Sequence, residues 1–127
     1  MSCRCVAYDP LTLVTEGIKP LSLKIRSSQA DPVIPILLSM PNSKAVSPVI
    51  LFSHGLGGSR EAASYLRRHW TARGYITIFF QHQGSDSSLR HNVSRLEAIR
   101  QLRNAASREN LELRVTDVTD VLNALPQ

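Results

Sequence analysis

One stretch constrains the fold of this chain more than any other: residues 49–61, Val-Ile-Leu-Phe-Ser-His-Gly-Leu-Gly-Gly-Ser-Arg-Glu. It begins with an apolar run without polar alternation, which is typical of a strand buried on both faces. A glycine-rich turn follows directly, and a helix is predicted after it. This order exposes backbone N–H groups at the carboxyl end of a sheet strand, where a negative charge can be stabilised.

Length and composition indicate one small domain without a membrane span. The chain has 127 residues, of which 43% are hydrophobic, and no apolar run approaches the roughly 18 residues of a transmembrane helix. The N-terminus lacks the apolar segment of a signal peptide, so the sequence predicts a cytoplasmic protein. Cys3 and Cys5 are the only cysteines, and a reduced pair is the expected state.

The net charge of +5 is carried mostly by arginines that alternate with apolar residues on predicted helices. Solvated helix faces account for this pattern. A nucleic-acid-binding protein would need a groove-reading element or stacking aromatic residues beside the charges. We therefore expect no nucleic-acid partner, and a basic nucleic-acid binder is the third of three functional hypotheses.

The apolar patterns predict an α/β fold with two parts. Strands at 21–26 and 33–40 form an antiparallel pair at one side of a sheet, with Pro35 expected on an edge or at a bulge. The strand at 49–53, a helix at 61–73 and a strand at 75–80 form a βαβ unit with parallel strands and a right-handed crossover.

Three helices are predicted to pack through apolar faces with helical spacing. For the helix at 61–73 this face comprises Ala62, Tyr65, Leu66, His69 and Trp70. The next helix has Leu96, Ile99, Leu102 and Ala106. The last begins at Asn110, ends before Pro126 and has Leu111, Val115, Val118, Leu122 and Leu125.

Several of these segments together resemble the α/β-hydrolase superfamily, in its branch of dienelactone hydrolases and platelet-activating-factor-acetylhydrolase-like esterases. The resemblance covers about residues 32–125 in a single partial domain, 1–127. It is carried by residues 52–60 (Phe-Ser-His-Gly-Leu-Gly-Gly-Ser-Arg), 65–66, 73–75, 81–86 (Gln-His-Gln-Gly-Ser-Asp) and 105–110, with Arg114 and Asp117-Val118.

The resemblance implies a serine hydrolase of carboxylic esters or lactones that needs no cofactor. The backbone N–H of Leu56 would donate to the oxyanion hole, within a motif loop formed by His54, Gly55, Gly57 and Gly58. The second polar loop would shape the rim of the active site through His82, Gly84 and Asp86. The spacing of His82, Asp86 and His91 matches no metal-binding motif, so no metal is expected.

The chain departs from the family pattern at the nucleophile, which should lie in a G-x-S-x-G elbow. The nearest sequence is Gly57-Gly58-Ser59-Arg60-Glu61, which is part of the oxyanion loop itself. No catalytic residue is therefore assigned, and the chain is interpreted as the N-terminal part of an α/β-hydrolase fold, truncated before the nucleophile strand and inactive alone.

This interpretation leaves the strand at 49–53 as an unpaired apolar edge, which favours association. The partner would be a C-terminal half chain or a second copy. The alternative function is a non-catalytic α/β module that binds a partner through this exposed edge.

Overall fold

The computed structural model describes residues 11, 18–29, 33–42, 46–85 and 93–125. In this part of the chain the strands are β1 (Leu21–Arg26), β2 (Val33–Ser39), β3 (Val49–Ser53) and β4 (Ile76–Phe80), and the helices are α1 (Ser64–Ala72), α2 (Arg95–Ala105) and α3 (Arg108–Ala124). None of these helices is long and apolar enough to cross a lipid bilayer.

The strands form one mixed sheet in the order β1-β2-β4-β3. β2 runs antiparallel to both β1 and β4, whereas β3 and β4 are parallel and joined through α1. The predicted antiparallel pair and the predicted parallel βαβ unit are both confirmed. The hydrophobic core lies between the sheet and α3 and comprises Ile34, Ile36, Ile78, Phe80 and Val121.

β3 is an edge strand of the described sheet, because β4 is its only neighbour there. Its side chains are half-buried or exposed, and Val49 is 44% exposed. The expectation of a strand buried on both faces is therefore wrong, since full burial also needs a neighbouring strand on each side. The expectation of an apolar edge is confirmed, and the strand that is buried over four of its five residues is β4.

Pro35 lies in β2, which is an interior strand rather than the edge expected from the sequence. The ladder between β2 and β4 begins at the pair Ile36 and Phe80, one residue after the proline along β2. Pro35 therefore lies beyond the paired part of β4, where its missing N–H breaks no ladder bond to that strand. Its carbonyl still accepts a hydrogen bond from the N–H of Gln81 at 2.9 Å.

α1 packs on the sheet through polar side chains that the apolar pattern did not predict. Tyr65, expected in the core, is 67% exposed. The buried side instead contains Arg67, whose guanidinium donates to Ser39 Oγ at 2.9 Å, and Thr71, whose hydroxyl lies 3.0 Å from that of Thr77. The helix also begins at Ser64 rather than Glu61, since Ala63 before it has a left-handed backbone with φ of 57°.

α3 is rotated relative to the sequence prediction. Leu111, Val115 and Leu122 were expected in the core but are 61%, 59% and 45% exposed. Five of the less exposed positions lie three, four, seven and eleven residues from the first of them, as one helix face requires, and the last follows the end of the helix: Arg114, Asp117, Val118, Val121 and Leu125. α2 likewise exposes Leu96 and Ile99, at 82% and 56%.

Asp120 ties α3 to the chain that follows β1. Its Oδ2 accepts hydrogen bonds from the N–H of Ser28 at 2.8 Å, from Ser28 Oγ at 2.9 Å and from Ser27 Oγ at 3.3 Å. The Ser28 backbone N–H contributes most to holding the pKa of Asp120 below its ordinary value of 3.8. The ionised carboxylate therefore supports this orientation of α3.

The observed orientation predicts unequal effects of two matched truncations on α3. Val121→Ala removes two methyl groups from the core, where the side chain is 1% exposed, and should lower the free energy of unfolding by about 1.5 kcal/mol or more. Val115→Ala, at a mostly exposed position, should change it by less than about 0.5 kcal/mol. Denaturant melts of both variants check this, and equal losses would contradict the orientation.

Candidate functional site

The turn after β3 is a compact backbone structure. The N–H of Gly58 donates to the carbonyl of Gly55 at 2.9 Å, and the N–H of Gly57 donates to the carbonyl of Ser85 at 2.8 Å. Gly57 has φ of 70°, a backbone conformation that residues with a side chain rarely adopt. The turn is therefore closed by one internal bond and fixed against the loop after β4 by another.

Two glycines of this turn meet different surroundings. A Cβ added to Gly58 would lie 2.9 Å from the Gly55 carbonyl oxygen and 3.1 Å from His54 Cβ. A Cβ added to Gly55 would meet nothing within 4 Å. Internal packing therefore requires a glycine at position 58, while position 55 borders open space.

Leu56 lies between these glycines and is 38% exposed. Within the described residues its backbone N–H donates no hydrogen bond, in contrast to the N–H groups of Gly57 and Gly58. The turn thus holds a backbone donor without an internal acceptor beside the open space at Gly55.

His54 is 1% exposed and supports the turn from beneath. Its Nδ1 lies 2.8 Å from the carbonyl of Gly55, and its Nε2 lies 3.2 Å from the backbone N of His82. Because a carbonyl can only accept and an amide N–H can only donate, the imidazole carries its proton on Nδ1. The carbonyl of His54 accepts a hydrogen bond from the guanidinium of Arg114 on α3.

His82, a residue of the expected rim, has a fully buried side chain. Its Nε2 lies 2.9 Å from Ser53 Oγ, and its Nδ1 lies 2.7 Å from Asp117 Oδ2. Both ring nitrogens are thus used within the protein, which is why the side chain can be buried without an unsatisfied polar atom.

The remaining residues of the expected rim have separate positions. Gly84 is exposed, has φ of 76° and would place a Cβ 3.3 Å from Asn110 Oδ1. Asp86 and His91 lie outside the described residues, as do Cys3 and Cys5. Among the side chains that the structure describes, no three His, Cys, Asp or Glu residues are grouped to hold a metal ion.

The site includes residues to which the sequence analysis gave no role. Gln29 Nε2 donates to Asp117 Oδ1 at 3.0 Å and to the carbonyl of Leu113 at 2.9 Å. Ser53 and Asp117 appeared only within the motifs that carried the resemblance. One signal could have joined Ser53 to His82: both lie at or just beyond the carboxyl ends of strands predicted to be parallel neighbours.

Comparison with solved structures defines the class of fold. The chain is similar to the dienelactone hydrolase of Anabaena variabilis, with 19% identity and a TM-score of 0.52, over 80% of this chain and 41% of that one. It is also similar to the acylaminoacyl peptidase of Pyrococcus horikoshii, with 18% identity and a TM-score of 0.50, over 87% and 17%. Together with the mixed sheet, these similarities identify an α/β-hydrolase fold. The chain spans less than half the length of either solved structure.

A comparison of the sequence with family models shows which family the chain belongs to. The family model of platelet-activating factor acetylhydrolase, isoform II, matches residues 23–124. The chain therefore belongs to this family. None of the curated proteins compared with the chain matches it.

The difference between the two glycines predicts different effects of the same substitution. Gly58→Ala should lower the free energy of unfolding by about 1–3 kcal/mol, because the added methyl group overlaps the Gly55 carbonyl and the turn must shift. Gly55→Ala should have little effect and is the matched control. Denaturant melts and amide NMR spectra of Leu56 check this, and an unchanged Leu56 resonance in Gly58→Ala would contradict the packing argument.

Proposed function

We propose that the protein takes part in the hydrolysis of carboxylic esters or lactones through a serine acyl-enzyme. In this proposal residues 1–127 form a single partial domain, and the turn at 54–58 supplies one side of the oxyanion hole. Membership of the acetylhydrolase family supports the reaction class. The observation that carries the role of this chain is the Leu56 N–H, which has no acceptor among the described residues.

The turn suits an oxyanion because its donor is fixed before substrate arrives. Attack on an ester carbonyl places negative charge on the carbonyl oxygen, and a preorganised N–H stabilises that charge without further rearrangement. His54 and Arg114 hold the turn from below, while the open space at Gly55 leaves room for the substrate. Removal of one such donor typically lowers kcat by about 10²- to 10³-fold.

We assign the family nucleophile to none of the 127 residues, because no G-x-S-x-G motif occurs among them. We therefore expect no steady-state ester hydrolysis by the 127 residues alone. A serine, an acid and a histidine from further hydrolase sequence would complete the family reaction, which needs no cofactor.

Proline substitution at the oxyanion turn tests this proposal. Translation of the DNA that follows the codon for Gln127, in all frames, should yield a strand followed by G-x-S-x-G. In that longer product Leu56→Pro removes the donor and should lower kcat for short esters by about 10²- to 10³-fold. Leu56→Ala keeps the N–H and is the matched control.

Two results would contradict the proposal. One is the absence of any nucleophile motif in the following sequence. The other is a Leu56→Pro enzyme that folds, as judged by circular dichroism, and keeps the kcat of Leu56→Ala.

The edge of the sheet favours a second candidate, a non-catalytic module that binds a partner chain or another copy of itself. β3 pairs on one side only in the described sheet, and Val49 is exposed on it. Unpaired backbone groups beside apolar side chains form a template for an added strand. The exposed apolar residues of α2 and α3 add to the surface that such a partner could cover.

A charge placed on the edge separates this candidate from the first. If β3 mediates association, Val49→Lys should shift the chain toward the monomer in size-exclusion chromatography with light scattering, since an edge lysine opposes strand addition. Val46→Lys, at a position that is 86% exposed and precedes the strand, is the matched control. A cooperative monomer in the unsubstituted chain, or equal effects of both lysines, would count against edge-mediated association.

A further inference from the structure

Three side chains from separate elements form one hydrogen-bonded row. Ser53 ends β3, His82 follows β4 and Asp117 lies on α3, and the row runs from Ser53 Oγ to His82 Nε2 at 2.9 Å and from His82 Nδ1 to Asp117 Oδ2 at 2.7 Å. In unrelated folds a nucleophile is activated by the same arrangement, in which a serine hydroxyl binds one imidazole nitrogen and a carboxylate binds the other. The row includes neither a G-x-S-x-G elbow nor the Leu56 N–H.

The hydrogen-bond chemistry orients the row in one direction. An ionised carboxylate can only accept, so the proton of a neutral His82 lies on Nδ1, facing Asp117. Nε2 is then an acceptor, and the hydroxyl of Ser53 must donate to it. The Ser53 proton is therefore directed at the base that would receive it, before any substrate binds.

Neighbouring residues fix the base and the acid. The His82 ring is parallel to the Phe80 ring, with centroids 5.4 Å apart and an interplanar angle of 2°. Gln29 Nε2 donates to the second carboxylate oxygen of Asp117. His82 is fully buried and Asp117 is 15% exposed, so water screens their contact little.

Ser53 differs from its two partners because it is exposed. It lies at the carboxyl end of an edge strand that has no second neighbour in the described sheet. The exposed end of this edge is the side from which an electrophile would approach Oγ, while the base behind it is buried.

We propose that Ser53 is a nucleophile that captures activated acyl or phosphonyl groups, with His82 as its general base and Asp117 as a positioning residue. With an ester, Ser53 Oγ bonds to the acyl carbon while its proton passes to His82 Nε2. The bond from that carbon to the alcohol oxygen then breaks, and the departing alcohol takes the proton from His82. The products are acyl-Ser53 and a free alcohol.

Release of the acyl group is expected to be slow. Hydrolysis would require water to attack acyl-Ser53 without the preorganised Leu56 N–H, which is not part of the row. The site should thus react once with each chain. This expectation is compatible with the proposal that the 127 residues alone show no steady-state ester hydrolysis.

The test is labelling of the full chain with a fluorophosphonate, followed by digestion and mass spectrometry. Ser53 Oγ should displace fluoride and give one phosphonyl group per chain, on Ser53, in native buffer but not in denaturant. Ser59→Ala, which removes the hydroxyl in the nearby turn, should label like the unsubstituted chain and is the matched control. Absence of an adduct, an adduct on another serine, or equal labelling in denaturant would overturn the proposal.

Substitutions of His82 and Asp117 distinguish a row that activates Ser53 from a row that only stabilises the fold. His82→Gln should slow labelling by about 10²-fold or more, as loss of a general base does. Asp117→Asn should also slow it, because a carboxamide N–H can face Nδ1 and move the ring proton to Nε2. The proposal is wrong if a variant that is folded, as judged by circular dichroism, is labelled on Ser53 at the rate of the unsubstituted chain.

The comparison between native and denatured chain keeps the test decisive where a variant does not fold. It needs only the unsubstituted protein, because activation of Ser53 depends on the folded row. The outcome also does not depend on a downstream nucleophile. Failure of Ser53 labelling therefore leaves the proposed oxyanion function untouched, and failure of that function leaves the Ser53 proposal standing.

Discussion

The hydrogen bond between Asp117 and His82 is the buried polar contact that holds the last helix against the sheet. It joins α3 to the loop after β4, and through Ser53 it reaches the end of β3. Arg114, one helical turn before Asp117, reaches the carbonyl of His54 from the same face. The turn at 54–58, the buried histidines and the core residue Val121 all depend on this orientation of α3.

The free energies of burial explain why α3 buries a face with polar contacts rather than the face that its apolar pattern predicted. Burial of Leu111, Val115 and Leu122 would be worth about 1.5–3 kcal/mol for each side chain, but only against a surface that covers them. The opposite rotation would take the Asp117 carboxylate away from the buried Nδ1 of His82, and a buried polar group left without a partner costs about 1–3 kcal/mol. Within the described residues only the sheet side offers α3 both apolar and polar partners, so that face is the one it buries.

Local signals in the sequence were sufficient for the strands and for the glycine turn after β3. Residues 21–26 and 49–53 were predicted with the observed bounds, because alternation and apolar runs are properties of adjacent residues. The row at Ser53 was not predicted, since Asp117 is separated from His82 by 35 residues and enters through the rotation of α3. The burial of His82 was missed for the same reason, because its partners come from β3 and from a helix whose facing side was predicted correctly only at Val118 and Leu125.

The exposed edge links the two roles proposed for β3. The absence of a second neighbouring strand exposes Ser53 to electrophiles, and it also exposes backbone groups to an added strand. A strand paired along Val49–Ser53 would lie over the approach to Ser53 Oγ, since neighbouring strands are only about 4.8 Å apart. Reaction at Ser53 and association through β3 should therefore exclude each other, so that association protects the serine in proportion to the fraction of chains whose edge is paired.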